Sequence, residues 1–171
     1  MGPMEWEAID RIPGFMSKVG CEWLAETARR VTSWMERGAY CGRSMLCIGL
    51  HLPPGASLRV VDLYLGSIRR AGQSLFTMYD ELVQRRPDIE IVLLRSDSAK
   101  AASLLPDSEV VFLDASHEEE AVAQGIRAWA GKLDLLCGHD YAVSAWPGIK
   151  LAVDRLVSTA MCAAETIWKR G

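Results

Sequence analysis

Residues 36–44 read ERGAYCGRS and join a short predicted strand, Ser33 to Glu36, to a predicted helix from Arg43 to about Leu52. Gly38 and Gly42 let the backbone turn tightly and approach a ligand where a Cβ would collide. The helix that follows presents unpaired N–H groups in its first turn. This order of strand, glycine-rich turn and helix predicts a ligand-binding loop at one edge of an α/β sheet.

Outward from this turn, short apolar runs alternate with helical patterns along the chain. Further strands are predicted at Leu58–Val61, Ile89–Leu94, Glu109–Asp114 and Leu135–Cys137, and the tail from Met161 to Lys169 has room for two more. Helices are predicted at 20–32, Leu75–Val83, Ala99–Leu105 and Ile149–Val157, and from Glu118 with a buried face that continues to Leu133. This alternation is typical of βα units and predicts a Rossmann-like α/β fold, a mostly parallel seven-stranded sheet with helices on both faces.

Length and composition indicate one domain. The chain has 171 residues, and we expect a helical segment at 1–32 followed by a single core at 33–171. The net charge of −3, with basic residues scattered singly or in pairs, argues against a nucleic-acid partner. No apolar run approaches the roughly 20 residues that cross a bilayer, so no membrane partner is expected. Five cysteines without a C-x-x-C pair predict reduced thiols in a soluble, cytoplasmic protein.

Polar residues stand where the predicted strands end. They are Glu36, Asp62, Ser96 with Asp97, Asp114, and His139 with Asp140. Ligands of open α/β sheets bind beyond the carboxyl ends of the strands, so these side chains are the candidates for a site. Asp62, twenty residues after Gly42, stands where a carboxylate can accept hydrogen bonds from both hydroxyls of a ribose. The alternative is that Gly38 and Gly42 are ordinary turn glycines and that Asp62 caps a helix.

Several stretches together resemble the small class I methyltransferases that carry a Gly-His-Asp-Tyr motif. The matching stretches are Ile12-Pro13-Gly14, residues 36–44, Val61-Asp62, residues 96–98, Phe112-Leu113-Asp114 with His117, Gly138 to Tyr141, Gly148-Ile149-Lys150 and residues 166–169. They span the chain nearly end to end. Gly-His-Asp-Tyr after a fifth strand, preceded by Leu-Asp-x-x-His after a fourth, is fairly specific.

The resemblance implies a methyltransferase that uses S-adenosylmethionine (SAM). It places Glu36, Gly38 and Gly42 around the methionine part of SAM and Asp62 at the ribose. It also implies that Asp97 and Ser98 line the adenine. The remaining residues of the implied cofactor-binding set are Arg43, Ser44, Ser96 and Asp114.

A metal site is also implied by the resemblance. Asp114, His139 and Asp140 occupy places similar to the metal ligands of catechol O-methyltransferases and of macrocin-type sugar O-methyltransferases. An oxygen-rich site with one imidazole would suit Mg²⁺, which can bind an acceptor hydroxyl and lower its pKa. The alternative is that His139 and Asp140 only hold a turn.

By the resemblance, His117, three residues after Asp114, falls where the catechol enzymes place their catalytic lysine. It is the candidate base, because a neutral imidazole can accept a proton near pH 7. Asp114 and His139 complete the predicted catalytic set. The alternative is that His117 and Asp114 cap the helix that follows. The reaction expected is O-methylation of a small-molecule hydroxyl on a sugar, a phenol or a natural product. A dimer is expected too, with the acceptor recognised by a partner subunit or by the segment around Phe15 and Met16.

Three departures from the family pattern favour a competing hypothesis, a non-catalytic interaction domain that keeps the fold and still binds SAM. Arg37 occupies an apolar position of the first motif, Ser116 stands where related enzymes often have a second acid, and Lys132-Leu133-Asp134 replaces a Pro-Gly-Gly turn. A nucleotide-linked dehydrogenase is disfavoured, because the chain lacks the G-x-G-x-x-G turn of dinucleotide sites.

Overall fold

One seven-stranded sheet with flanking helices forms the body of the protein, as the computed structural model shows for residues 6–63 and 69–171. The helices are α1 (Trp6–Asp10), α2 (Lys18–Ala28), α3 (Arg43–His51), α4 (Arg69–Arg85), α5 (Ser98–Leu104), α6 (Glu119–Trp129) and α7 (Pro147–Leu156). The strands are β1 (Ser33–Arg37), β2 (Ser57–Asp62), β3 (Glu90–Arg95), β4 (Ser108–Leu113), β5 (Leu133–Gly138), β6 (Ala160–Ala164) and β7 (Ile167–Arg170). The predicted Rossmann-like α/β fold is confirmed.

The sheet reverses its strand order beside β1. Its order is β3-β2-β1-β4-β5-β7-β6, and β1 to β5 run parallel while β7 is antiparallel to both β5 and β6. The chain therefore moves outward from β1 to β3 and returns to start again at β4, on the other side of β1. A crevice opens beyond the carboxyl ends of the strands at such a reversal, and ligands of this fold class bind there.

Alternate residues of each strand enter two separate hydrophobic clusters on opposite faces of the sheet. Trp34 and Val110 belong to the cluster under α1 to α4, whereas their neighbours Met35 and Val111 belong to the cluster under α5 to α7. Successive side chains of a strand point to opposite faces, so a strand covered on both faces is apolar throughout. This two-sided burial explains the continuous apolar run of β4.

The N-terminal segment predicted at 1–32 packs on this core where it is described; its residues 1–5 lie outside the described residues. Ile9 of α1 and Leu24 of α2 are fully buried in the cluster under α1 to α4. The packing brings residues 13–16 to the carboxyl edge of the sheet. Among the described helices, none combines the length and apolar composition that crossing a bilayer requires.

One sequence expectation about the helix before β5 is wrong. Leu133 does not continue the buried face of α6, because α6 ends at Trp129 and the Lys132 N–H bonds back to the Trp129 carbonyl. Leu133 instead begins β5 and pairs with Ser108 of β4. The strand forms without the Pro-Gly-Gly turn of the family pattern.

Gly38 is required by the backbone of the neighbouring strand. It adopts φ +83°, and a Cβ built there would lie 2.4 Å from the carbonyl oxygen of Asp114 and 2.6 Å from the Cα of Ala115. The sequence analysis expects the missing Cβ to make room for a ligand. In the structure, the backbone that follows β4 occupies this space.

We predict that Gly38→Ala lowers the free energy of unfolding by about 2–4 kcal/mol, because left-handed strain and a backbone clash add together. Gly55→Ala is the matched control, since Gly55 has φ +80° but nothing within 4 Å of its Cβ position. That variant should lose only about 1 kcal/mol, from the left-handed conformation alone. Urea unfolding measures both, and equal losses would contradict the clash.

Candidate active site

A cavity of about 570 Å³ lies at the carboxyl ends of the strands. Of the site residues predicted from the sequence, those that line it are Gly38, Arg43, Ser44, Asp62, Ser96, Asp97, Ser98, Asp114, His117, His139 and Asp140. They come from loops that follow β1, β2, β3, β4 and β5, which are far apart in the chain. The structure thus brings the strand-end side chains together around one hollow.

Glu36 and Gly42 are the two predicted site residues that do not line the cavity. Glu36 is fully buried beneath it, and its carboxyl oxygen accepts a hydrogen bond from the Ser44 hydroxyl. At Gly42, with φ +90°, an added Cβ would meet Met78 at 3.0 Å and Leu75 at 3.3 Å. Glu36 therefore supports the wall through Ser44, and Gly42 is needed for packing against α4.

Asp62 holds the glycine-rich turn in place. Its Oδ2 accepts hydrogen bonds from the backbone N–H of Ala39 at 2.9 Å and of Tyr40 at 3.3 Å. These amides belong to the turn between β1 and α3, so these two hydrogen bonds fix the turn. The carboxylate also lines the cavity, so one side chain both shapes the turn and faces the space above it.

Asp97 and Ser98 form the cavity wall at the end of β3. Asp97 is the N-cap of α5, and its Oδ1 accepts hydrogen bonds from the N–H groups of Ala99 and Lys100. Ser98 is buried, and its hydroxyl oxygen accepts a hydrogen bond of 3.1 Å from the Trp129 indole N–H. Both positions are fixed by the start of α5.

Two histidines and two aspartates form a continuous cluster across the ends of β4 and β5. Nδ1 of His139 lies 3.2 Å from Oδ1 of Asp140 and 3.6 Å from Oδ1 of Asp114. Nε2 of His117 lies 2.9 Å from Oδ2 of Asp140. The indole of Trp146 stacks on the His117 ring, with 4.2 Å between centroids. Asp140 therefore joins both imidazoles.

The charges of this cluster depend on one another. Burial by itself would lower the pKa of His139, but the hydrogen bonds and charges of Asp114 and Asp140 outweigh it and raise the pKa to about 10. Burial raises the pKa of Asp114, and its contact with His139 offsets this only in part. Burial also opposes ionisation of Asp140, but hydrogen bonds from His139 and His117 lower its pKa. His139 is thus held as a cation by two acids.

The contacts of this cluster differ from the helix-capping and turn-holding roles that the sequence analysis gave as alternatives. The N-cap of α6 is Glu118, whose side chain makes no capping bond and whose N–H bonds to the Ser116 hydroxyl. The alternative in which His117 and Asp114 cap that helix is therefore wrong. Asp140 does occupy a turn, with φ +58°, but its carboxylate also binds both imidazoles.

The positions of the donor atoms of Asp114, His139 and Asp140 fit a divalent cation, which would take the place of the His139 proton, since only a neutral imidazole binds a metal. One nitrogen and two carboxylate oxygens lie within 4.8 Å of one another, a spread that one ion can bridge. Asp114 keeps 23 % of its side chain exposed, so the group faces the cavity. This set of donors is compatible with Mg²⁺, which prefers oxygen ligands.

Sequence reasoning overlooked Tyr40 and Leu63, which form part of the apolar side of the cavity. Tyr40 (φ +50°) and Leu63 line it, and both are partly exposed. Phe15 is 84 % exposed and lies with its ring centroid 5.8 Å from that of Tyr40. The sequence signal for this side of the cavity was Tyr40, an aromatic residue between the two glycines of the turn. Met16 lines the cavity as well, as expected for the N-terminal segment.

Comparison with solved structures shows the methyltransferase fold. An O-methyltransferase from Bacillus cereus, solved in complex with SAH, has 12 % sequence identity and a TM-score of 0.69 over 95 % of this chain and 84 % of its own. The calicheamicin methyltransferase CalS11 has 13 % identity and a TM-score of 0.68 over 99 % and 86 %. Precorrin 8w decarboxylase from Methanobacterium thermoautotrophicum has 13 % identity and a TM-score of 0.64 over 95 % and 94 %.

Sequence comparison adds no closer relative. No family model matches the chain, and no curated protein is detectably similar to it. The resemblance to the Gly-His-Asp-Tyr family therefore stays a prediction. The structural neighbours have different named activities, so the fold alone does not select one of them.

The buried carboxyl of Glu36 predicts a pH-dependent stability. Burial, with the nearby charges of Asp114 and Asp62, raises its pKa from 4.5 to about 8 despite the hydrogen bond from Ser44. The unfolded chain loses this proton at lower pH than the folded protein does. The free energy of unfolding should therefore fall by roughly 2–5 kcal/mol between pH 4.5 and 8 through this group, and stay level above pH 8.

Glu36→Gln removes the titrating proton and should flatten this part of the pH profile, measured by urea unfolding at pH 5 and pH 8.5. Glu22→Gln, at an exposed position of α2, is the control and should leave the profile unchanged. A Glu36→Gln profile as steep as that of the natural protein would show that another group carries the effect.

Proposed function

We propose that this protein is a SAM-dependent methyltransferase that methylates a hydroxyl oxygen of a small molecule. The observation that carries the proposal is one cavity that joins a glycine-rich turn, Asp62 and Asp97 to a cluster of histidines and acids. Its volume lies within the range of about 300–1,000 Å³ that is typical of ligand pockets. Neighbours of the same fold that are named O-methyltransferases support the reaction, and the SAH bound to one of them supports the cofactor.

The turn and the two acids at the strand ends would bind the nucleoside. Asp62 stands where it can accept hydrogen bonds from ribose hydroxyls, and Asp97 and Ser98 would line the adenine. Gly38 and Ser44 would lie beside the methionine part, together with Arg43, whose guanidinium is held by Asp10 at 2.8 Å and by the Ile12 carbonyl. This assignment places the sulfonium toward the cluster around Asp140.

SAM supplies an electrophilic methyl group, so the protein has little covalent chemistry to perform. Its residues must hold the acceptor oxygen in line with the bond that breaks, exclude water and take up the hydroxyl proton. Alignment of this kind lowers barriers by about 7–11 kcal/mol in favourable systems. The part of the site that can handle a proton is the cluster of His117, Asp140, His139 and Asp114.

His117 would be the base, with its orientation set by Asp140. The lowered pKa of Asp140 keeps that carboxylate ionised, so it can only accept a hydrogen bond from His117. Nε2 of His117 therefore carries its proton, and Nδ1 is the nitrogen that can take a proton from the acceptor. Stacking on Trp146 holds the ring plane.

Asp114, His139 and Asp140 would hold Mg²⁺ if the protein uses it, since their donor atoms are close enough. The ion would lower the pKa of an acceptor hydroxyl. Without the ion, the His139 cation balances the two acids.

The acceptor would enter over the apolar side formed by Phe15, Tyr40 and Leu63. Such a side suits a phenol, the apolar face of a sugar or a natural product that presents one hydroxyl to the cluster. One structural neighbour is named a TDP-rhamnose 3'-O-methyltransferase, which fits a sugar hydroxyl. A dimer and a cytoplasmic location stay predictions.

The binding test is isothermal calorimetry with SAM and with SAH. We expect both to bind, and Asp62→Asn to weaken SAH about 10- to 100-fold, since hydrogen bonds to a charged group are being lost. Asp107→Asn is the control, because that side chain is 73 % exposed and pairs with Lys132 away from the cavity. The proposal fails if neither ligand binds at millimolar concentration.

The catalytic test follows methyl transfer from labelled SAM to a panel of sugars and phenols. His117→Ala should reduce turnover about 10²- to 10⁴-fold and leave SAH affinity within about twofold, as expected for a general base. His51→Ala, at the end of α3, is the control. In the same assay, EDTA should abolish a metal-dependent activity and Mg²⁺ should restore it. SAH binding without transfer to any acceptor, and no effect of His117→Ala, would favour the non-catalytic domain instead.

A further inference from the structure

The side chain of Arg37 lies in the wall of the cavity and forms no ion pair with any acid in the part of the chain that the structure describes. It is the last residue of β1, half-buried, on the face covered by α5, α6 and α7. Its Nε is buried and has no hydrogen-bond partner. Within residues 6–63 and 69–171, no carboxylate or carbonyl binds its guanidinium. A guanidinium carries five N–H donors and stays charged, so this position is unfavourable in the absence of a ligand.

Helix α6 has a glycine at the position where the Arg37 side chain packs against it. A Cβ at Gly125, in the middle of α6, would lie 1.8 Å from Nη1 of Arg37 and 2.9 Å from its Cζ. Glycine in a helix interior is itself destabilising. A leucine at 37 with an alanine at 125 would remove both costs. The sequence instead keeps two unfavourable residues that together position one guanidinium.

Asp97 lines the same cavity as Arg37. Burial lowers the pKa of the Arg37 guanidinium, and the charge of Asp97 partly offsets that shift, so the two groups are within electrostatic reach. They nevertheless form no ion pair, because Oδ1 of Asp97 accepts the N–H groups of Ala99 and Lys100. The cavity wall therefore presents a hydrogen-bond donor and an acceptor near each other.

This pairing of groups matches one edge of adenine. The exocyclic amino group of adenine donates hydrogen bonds, and the ring nitrogens on either side of it accept them. A guanine or hypoxanthine ring presents a carbonyl oxygen at the same place, which a carboxylate would repel. The neighbouring residues Ser98 and Ala115 line the cavity beside both groups.

We propose that Arg37 donates a hydrogen bond to a ring nitrogen of adenine next to the amino group, while Asp97 faces that amino group. The inference rests on the proposed function and adds to it a residue that selects the base. The resemblance stated in the sequence analysis has an apolar residue at the position of Arg37, so it does not imply this contact.

The test is calorimetry of SAH and its 1-deaza and 7-deaza purine analogues, each of which replaces one ring acceptor with C–H. The natural protein should bind one of the two analogues at least tenfold more weakly than SAH. Arg37→Met, of similar length and without charge, should bind SAH about 10- to 100-fold more weakly and should no longer distinguish the three ligands. Arg127→Met, at an exposed position of α6, is the control and should behave as the natural protein.

The stability of the ligand-free variant distinguishes a ligand contact of Arg37 from a structural role. Without ligand, Arg37→Met should unfold at the same urea concentration as the natural protein or a higher one, because a half-buried charge that no described acid neutralises is removed. Unchanged SAH affinity in Arg37→Met would overturn the inference and leave the proposed function standing. If the variant does not fold, equal binding of all three ligands by the natural protein overturns it. Failure of the natural protein to bind SAH refutes the proposed function and this inference together.

Discussion

The close approach of two backbones, where β1 and β4 end side by side, is the constraint on which the cavity depends. Gly38 leaves β1 against the carbonyl of Asp114, at a distance that leaves no room for a side chain. The N–H of Asp114 in turn bonds to the carbonyl of Arg37. Because strand order reverses here, the loops after β1 and β4 diverge above this contact. The cavity is the space that opens between them.

Charge is arranged unevenly around that space. Acidic groups dominate, with Asp62, Asp97, Asp114 and Asp140 all lining the cavity. An acidic cavity suits a ligand that carries a positive sulfonium. Two of the cations that line it have different surroundings, since His139 is enclosed by two acids and Arg37 contacts none among the described residues. The first is satisfied inside the protein, whereas the second depends on what enters the cavity.

The fold is shared with proteins of different named activities at identities of 12–13 %. At that identity, the shared feature is the fold, with TM-scores of 0.64–0.69. Function in such folds resides in the site residues. The evidence for oxygen methylation therefore lies in the cluster that joins His117 to Asp140, and less in the architecture that carries it.

The sequence by itself determined the fold, because alternating apolar runs and helical periods are local patterns that report burial on one face or two. It also indicated which polar residues end each strand, and the sheet collects them at one edge. Contacts between residues that are far apart in the chain could not be predicted from these local patterns. His117 meets Asp140 across 23 positions, Gly38 makes room for the chain after β4, and Arg37 finds space against Gly125 of α6.

Burial likewise depended on tertiary structure. Glu36 looked like a ligand contact from its place at a strand end, yet it lies beneath the cavity and reaches it only through Ser44. Whether a charged group faces a ligand, a partner or the core depends on which helix covers it. The covering helix is set by how the layers of helices and sheet pack. Local sequence patterns therefore predict the helices and strands, whereas their packing sets which side chains face the cavity.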